Sequence, residues 1–185
     1  MAREMLAMQC SVYVATSLDG FIAREDGSID WLSSVERAGE DYGYQLFYDT
    51  VDTIIVGRKT YETALGFGAW PYAGKRCVVL TKQVLRPVHN EEFHSGPAAL
   101  LVARLASEGA RRAYVDGGSV VQQFLSLGLI NDLTLSIIPV LLGQGIRLFG
   151  ETAADLPLQL SSSRAFASGL VQLEYRLAQA AAGIP

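Results

Sequence analysis

The sequence predicts an α/β fold of three layers, αβα, built on a mixed, mostly parallel central sheet with antiparallel C-terminal strands. Three observations predict it. Short β-rich runs alternate with helical runs as far as residue 138. Glycine or other small residues punctuate several strand ends. After Gly145 only strand-like runs remain.

Residues 10–16 (C-S-V-Y-V-A-T) are β-rich and open onto a polar, glycine-containing stretch, residues 17–30, which reads as a long loop. Residues 40–48 carry Tyr44, Phe47 and Tyr48 at helical spacing, and residues 51–56 form a short buried-type strand that Gly57 ends. Residues 58–65 read as a helix, 76–80 as a strand, and 97–107 as a helix with proline in its first turn. Residues 113–115 are a strand, 119–127 a helix and 133–138 a further strand. Beyond Gly145, residues 146–149, 158–160 and 170–177 are strand-like, and the small-residue tail, residues 178–185, is expected to fray. With 185 residues, half of them hydrophobic, and no repeat or linker, one domain is the simplest organisation.

A net charge of −4 removes the basic footprint that phosphate-backbone binding requires, so nucleic acid is not an expected partner. The most apolar segment, residues 133–143, is interrupted by Ser136 and Pro139 and falls far short of a membrane span. Residues 1–10 lack a signal-peptide core. A cytoplasmic protein without a membrane partner is expected. Cys10 and Cys77 are far apart and form no C-x-x-C pair, so they read as small buried hydrophobes rather than a disulfide or a metal site. His89 and His94 lie in a polar stretch and read as solvated.

Three turns carry the chemistry. Gly57-Arg58-Lys59-Thr60 sets two cations at a helix start, where the macrodipole disfavours positive charge by about 0.3–1 kcal/mol each. A phosphate would compensate them, held by Thr60 and the free N–H groups of the helix start; a solvated basic helix start is the alternative. Asp116-Gly117-Gly118-Ser119 offers backbone N–H groups that a pyrophosphate can approach, although a Gly-Gly pair alone is only a turn. Thr81 and Lys82 follow another strand, and Lys82 by itself reads as a surface lysine. Jointly the three deliver cations or N–H donors to the carboxyl edge of one sheet, as a cofactor with a pyrophosphate and an extra ribose phosphate needs. Neither a G-x-G-x-x-G fingerprint nor a Walker lysine loop is present.

These residues carry a resemblance over nearly the whole chain. Ala15-Thr-Ser-Leu-Asp-Gly-Phe-Ile-Ala23 resembles the first strand and mobile active-site loop of the dihydrofolate reductase-like superfamily, and Trp31 resembles the tryptophan that follows that loop. Val56-Gly-Arg-Lys-Thr-Tyr-Glu62 resembles its cofactor turn, in the family's order relative to Asp116-Gly117-Gly118. Asp19-Gly-Phe-Ile-Ala23, Asp41-Tyr-Gly-Tyr44, Trp70-Pro-Tyr72 and Pro139-Val-Leu-Leu-Gly-Gln-Gly145 are more similar to the reductase domain of bacterial riboflavin biosynthesis and its stand-alone relatives than to folate enzymes.

The resemblance implies a dihydrofolate reductase-like fold, NADPH as cofactor and hydride transfer to a C=N or C=O carbon of a small heterocyclic substrate. A 5-amino-6-(5-phosphoribosylamino)uracil-type substrate comes first and dihydrofolate or another pteridine second; a non-catalytic NADP(H)-binding protein is the reading from another class. Ala15, Gly20, Phe21 and Ile22 would border the nicotinamide. Gly57, Arg58, Lys59, Thr60, Thr81 and Lys82 would hold the adenosine-phosphate end, and Gly117, Gly118, Ser119 and Val120 would follow the pyrophosphate to the nicotinamide. Asp41, sixteen residues before Gly57, falls where folate enzymes grip the pterin. Asp41 and Ser136 are then the catalytic candidates and, with Trp31, the substrate-binding ones. An apolar cleft would raise the pKa of Asp41; a helix-start acid is its other reading.

Lys75 stands where folate enzymes place an arginine for the glutamate tail, and lysine cannot form the bidentate fork. A cis peptide between Asp116 and Gly118, and a homodimer, also follow from the resemblance; the apolar region 133–148 is a candidate interface. The zinc pattern that joins H-x-E to P-C-x-x-C in the deaminase half of many riboflavin-pathway enzymes is absent, so deamination is not expected.

Overall fold

Side chains alternate across a strand, and in β1 (Gln9–Ser17) that sends Val12 and Val14 to one face of the sheet and Tyr13 and Ala15 to the other. The computed structural model describes residues 8–177, so the tail expected to fray lies outside the described residues. After β1 come β2 (Phe21–Ala23), a 3-10 turn at Asp30–Val35, α1 (Tyr44–Asp49), β3 (Thr53–Gly57), α2 (Arg58–Leu65), β4 (Arg76–Leu80) and β5 (Glu92–His94). The chain continues through α3 (Ala98–Ser107), β6 (Arg112–Asp116), α4 (Gly118–Ser126), β7 (Asp132–Ile138), β8 (Ile146–Arg147), β9 (Leu158–Ala165) and β10 (Val171–Leu177).

Eight strands form one sheet in the order β5-β4-β3-β6-β1-β7-β10-β9. All pairings from β5 to β7 are parallel, and β10 then runs antiparallel to both β7 and β9. This is the three-layer, mostly parallel arrangement with antiparallel C-terminal strands. On one face Leu101 and Leu105 of α3 and Val121 and Phe124 of α4 pack on Val12, Ile55, Val78 and Val115. On the other, Phe47 of α1 and Tyr61 and Ala64 of α2 cover Ile54, Val56, Val79 and Tyr114. Cys10 and Cys77 are buried in opposite cores, and burial pushes both thiols up to about 12. Among the described residues no helix is long and apolar enough to cross a membrane.

The structure departs from the sequence expectation in short elements. The loop at residues 17–30 contains β2, which pairs with β8 in a separate two-stranded sheet. Residues 92–94 form β5 at the sheet edge, so His94 is half-buried in a strand rather than solvated; His89 stays exposed and stacks on Trp70 at 4.4 Å. The helix expected from residue 40 begins only at Tyr44. Tyr42 (φ 58°) and Gly43 (φ 87°) take left-handed conformations there, which a helix does not continue through. Pro97 is the N-cap of α3, one residue outside the helix. β9 runs to Ala165, five residues beyond the expectation.

Candidate functional site

Parallel pairing places the three chemistry-bearing turns side by side. β3 lies between β4 and β6, with Gly57 opposite Leu80 and Val56 opposite Asp116. The turns that follow each strand line one cleft of about 410 Å³, walled by Gly57, Arg58, Lys59, Thr60, Thr81 and Lys82 with Ser119 and Val120 opposite. The two glycine turns touch. A Cβ on Gly57 would meet Val120 Cγ2 at 3.1 Å, and one on Gly117, whose φ is 94°, would run into Thr60. Neither α2 nor α4 has a side-chain cap, so the first N–H groups of both helices remain available.

The cations here are unequal. Arg58 is already neutralised by Glu62 at 2.6 Å, one helical turn on, whereas among the described residues Lys59 and Lys82 make no ion pair. The anion expected to compensate Arg58 is thus in part the chain's own. All peptide bonds among the described residues are trans, contrary to the expected cis bond between Asp116 and Gly118; Gly117 instead turns the chain through its positive φ.

A flap closes over this edge. Ile22 Cδ1 lies 2.9 Å from where a Gly118 Cβ would be, and Leu148 N–H donates to Gly20 O at 3.0 Å. Arg147 stacks over the Phe21 ring at 4.5 Å, while Gln122 of α4 donates to the carbonyls of Arg147 and Leu148. Ile22 therefore sits beside Gly118, while Gly20 and Phe21 meet Leu148 and Arg147 in the same flap.

Asp19 fastens the flap. Its carboxylate accepts from Ser17 Oγ at 2.6 Å, Gly143 N–H at 2.7 Å and Leu142 N–H at 3.1 Å. The Ser17 hydroxyl first, with those two amides, lowers its pKa to about 2. A depressed acid stabilises the fold above the ordinary carboxylate range, and that contribution disappears as pH falls through about 2. Asp19→Asn is accordingly expected to lose stability at neutral pH and to have a shallower acid-unfolding curve between about pH 4 and about pH 2. Superimposable acid titrations of variant and parent would contradict this.

On the α1 side of the sheet a cavity of about 530 Å³ has Tyr13, Ala15 and Ser136 in its wall. The register explains its floor: Ala15 pairs with Ser136, and Ser136 with Gln172, giving one row across β1, β7 and β10. Ser136 is only 4 % exposed and Gln172 8 %. The two N–H groups of the Gln172 amide are shared among Ser136 Oγ (3.1 Å), Tyr13 OH (2.9 Å) and Tyr42 O (3.1 Å), and Tyr13 OH donates to Tyr42 O at 2.7 Å. The Ser136 hydroxyl proton has no acceptor among the described residues, so it is free for a ligand.

Asp41 and Trp31 are placed differently from expectation. Asp41 lines the cavity rim, but its two oxygens accept from Gly43 N–H (2.9 Å) and Gln45 N–H (3.0 Å) at the start of α1. Those amides lower its pKa, the Gln45 bond most, where an apolar cleft was expected to raise it. It is exposed and engaged as a helix-start acid. Trp31 is buried against Val35, Ile138 and Leu170, and Leu32 rather than Trp31 faces the cavity.

A second acid, not singled out beyond its place in a turn, is half-buried at the end of β6. Asp116 ends β6 among Tyr44, Tyr72 and Tyr114, with Gly117 N–H on its Oδ1 at 2.8 Å. Burial raises its pKa despite that bond, and burial with the Asp116 charge pushes Tyr44 up to about 12. Tyr13 links the two regions: its ring meets Tyr44 at 5.5 Å, and its carbonyl accepts from Tyr114 OH at 2.9 Å. The tyrosines around Asp116 thus reach Tyr13 in the wall of the cavity. Gln172 and Tyr13 also escaped sequence reading, because nothing local marks which polar strand residue faces inward.

The chain is similar to YwjB of Bacillus subtilis (strain 168), itself uncharacterised, with 40 % identity over 168 residues, 89 % of this chain and 95 % of that one. A Shewanella crystal structure with a provisional riboflavin-biosynthesis name is 33 % identical, with a TM-score of 0.87 over 92 % of this chain and 99 % of the other. RibD of Acinetobacter baumannii shares the fold, with a TM-score of 0.71 at 16 % identity; 93 % of this chain matches 58 % of it, so this chain spans little more than half of that protein. Residues 10–172 match the family model described as the RibD C-terminal domain, and the chain belongs to that family.

Proposed function

We propose that this chain is a cytoplasmic, NADPH-dependent reductase that moves hydride from the nicotinamide to a C=N or C=O carbon of an amino-substituted pyrimidine or a related fused heterocycle, in the manner of the riboflavin-pathway reductases. The alignment of three donor-bearing turns along one sheet edge, beside a cavity with a buried polar floor, carries this reading. The residues fit the cofactor. Gly117 leaves no room for a side chain and Gly57 little where the two turns meet, two uncapped helix starts offer N–H groups, and Lys59 and Lys82 supply unspent charge.

NADPH, when bound, supplies the hydride. Thr60, Thr81 and Ser119 position its phosphate end, and Ile22 with Phe21 excludes water above Gly118. Ser136 orients the heterocycle, and Asp116, an acid at the cofactor turn whose pKa desolvation raises, is assigned as the proton source. Asp41 supports α1 at the rim. A folate substrate is less well supported, because Lys75 Nζ is spent on Val51 O at 2.6 Å and over the Tyr48 ring. A non-catalytic NADP(H)-binding protein would need no buried polar floor.

Fluorescence titration tests the cofactor. NADPH is expected to bind at least about tenfold tighter than NADH, a difference of about 1.4 kcal/mol. Lys59→Ala and Lys82→Ala should erase most of that preference and Arg58→Ala less of it, since Glu62 already holds Arg58. Equal affinities in the parent protein would sink the assignment.

The proposal includes a homodimer. We place its face on the edge strand β9, exposed along all eight residues, with Leu158 and Leu160 uncovered beside Val171 of β10. A monomer in sedimentation would contradict it.

A further inference from the structure

The two clefts carry charge of opposite sign. The cofactor cleft carries Arg58, Lys59 and Lys82 and two uncapped helix starts. The substrate cavity carries Glu36, Glu40 and Asp41 on its rim against a single cation, Arg37. Arg37 is already directed at backbone, donating to Glu36 O at 2.7 Å and Ser34 O at 3.4 Å. The one helix start at this cavity, that of α1, is occupied by the Asp41 carboxylate, so its N–H groups are not offered to an anion. The field reaches the floor. Burial first, then the charges of Asp41, Glu174 and Glu40, holds the Tyr13 hydroxyl above its ordinary range against the opposing Gln172 bond.

A phosphate monoester carries up to two negative charges and is recognised by clustered cations or free N–H groups. This cavity presents neither cluster, and like charges facing each other across a binding surface suppress the wrong partner. Ring N–H and exocyclic amino groups, by contrast, meet the Glu36 carboxylate and the second Glu40 oxygen at the rim, Glu40 Oε1 being taken by Tyr42 N–H, and a ring carbonyl or nitrogen meets the unspent Ser136 hydroxyl.

Resting on the reductase reading above, we infer that the substrate is an unphosphorylated, neutral or cationic amino-substituted heterocycle, free base or nucleoside, and not the sugar phosphate that the family resemblance implies. Specificity comes from the rim carboxylates, which admit amino groups and turn away a phosphate.

Calorimetric titration of NADP⁺-loaded protein tests this without turnover. The probes are 5-amino-6-ribosylaminouracil and its 5′-phosphate, handled without oxygen. The phosphate-free compound is expected to bind at least about tenfold tighter. The gap should narrow in high salt and in Glu36→Gln/Glu40→Gln, because both weaken the repulsion. Equal or tighter binding of the 5′-phosphate, or binding of neither compound, would overturn the inference. A separate assay with NADPH keeps the two readings apart: if the phosphate-free compound binds preferentially but is not reduced, the reductase reading falls and the charge preference stands.

Discussion

Gly117→Ala is expected to lose cofactor binding and several kcal/mol of stability together. At φ 94° and ψ 130° Gly117 occupies backbone space that residues with a Cβ rarely enter, at a cost of about 1–3 kcal/mol. The added methyl also runs into Thr60 across the junction of the two cofactor turns, and overpacking of this kind costs about 1–3 kcal/mol more. The chain relieves both by separating the turns, which moves the α2 and α4 helix starts apart. NADPH affinity should fall at least about tenfold and the denaturation midpoint should drop markedly. Adding Thr60→Ala removes the collision but not the backbone strain, so the double variant should recover only part of the stability. A Gly117→Ala protein as stable as its parent, binding NADPH as well, would show that the two turns do not form one site.

Asp116→Asn should have the opposite profile, with activity lost and stability kept or raised. The carboxylate is half-buried and costly to charge among its tyrosine neighbours, so its folded pKa lies above that of the unfolded chain. For an acid shifted this way, stability declines as pH rises from the unfolded pKa to the folded one. Asparagine keeps an oxygen for Gly117 N–H and has no proton to lose, so the variant lacks that decline and is at least as stable at neutral pH. Without a proton to deliver, turnover should fall at least about tenfold, equivalent to about 1.4 kcal/mol of transition-state stabilisation. The parent's rate should fall as pH climbs through the raised pKa of Asp116, and this limb should be missing in the variant. Matching rates and matching pH profiles would remove Asp116 from the mechanism.

What was legible in the sequence followed from period and punctuation. Buried strands such as T-I-I-V-G and R-C-V-V-L, each closed by a turn, carry their own signal, and parallel pairing then forces their following turns onto one edge. Hence the residues from Gly57 to Thr60, from Thr81 to Lys82 and from Ser119 to Val120 could be grouped before their contacts were known. β2, β5 and β8 are two or three residues long and exist only because distant partners present free backbone groups, so no local pattern marks them.

The resemblance pointed to Asp41 as a pocket acid, and it lines the cavity rim, but nothing in the sequence says where its oxygens point. Gly43 and Gln45 amides, left free by the left-handed turn at Tyr42 and Gly43, capture them. Trp31 was placed in the right neighbourhood and on the wrong side of the wall, with its ring in the core and Leu32 at the surface of the cavity. Asp116 was hidden because an acid before two glycines reads as turn chemistry, and only the convergence of Tyr44, Tyr72 and Tyr114 from three separate segments desolvates it enough to raise its pKa.

The central claim is hydride transfer, and it is tested most directly with NADPH deuterated at the transferring position of the nicotinamide. Incubated with the purified protein and the phosphate-free aminopyrimidine ribosylamine, it should oxidise with deuterium appearing at one carbon of the product by mass spectrometry. The rate should depend on Asp116, and Arg58→Ala should slow it far less than Gly117→Ala. NADPH that binds tightly yet remains unoxidised with phosphorylated and unphosphorylated pyrimidines and with pteridines alike would contradict the account and leave a nucleotide-binding protein in its place.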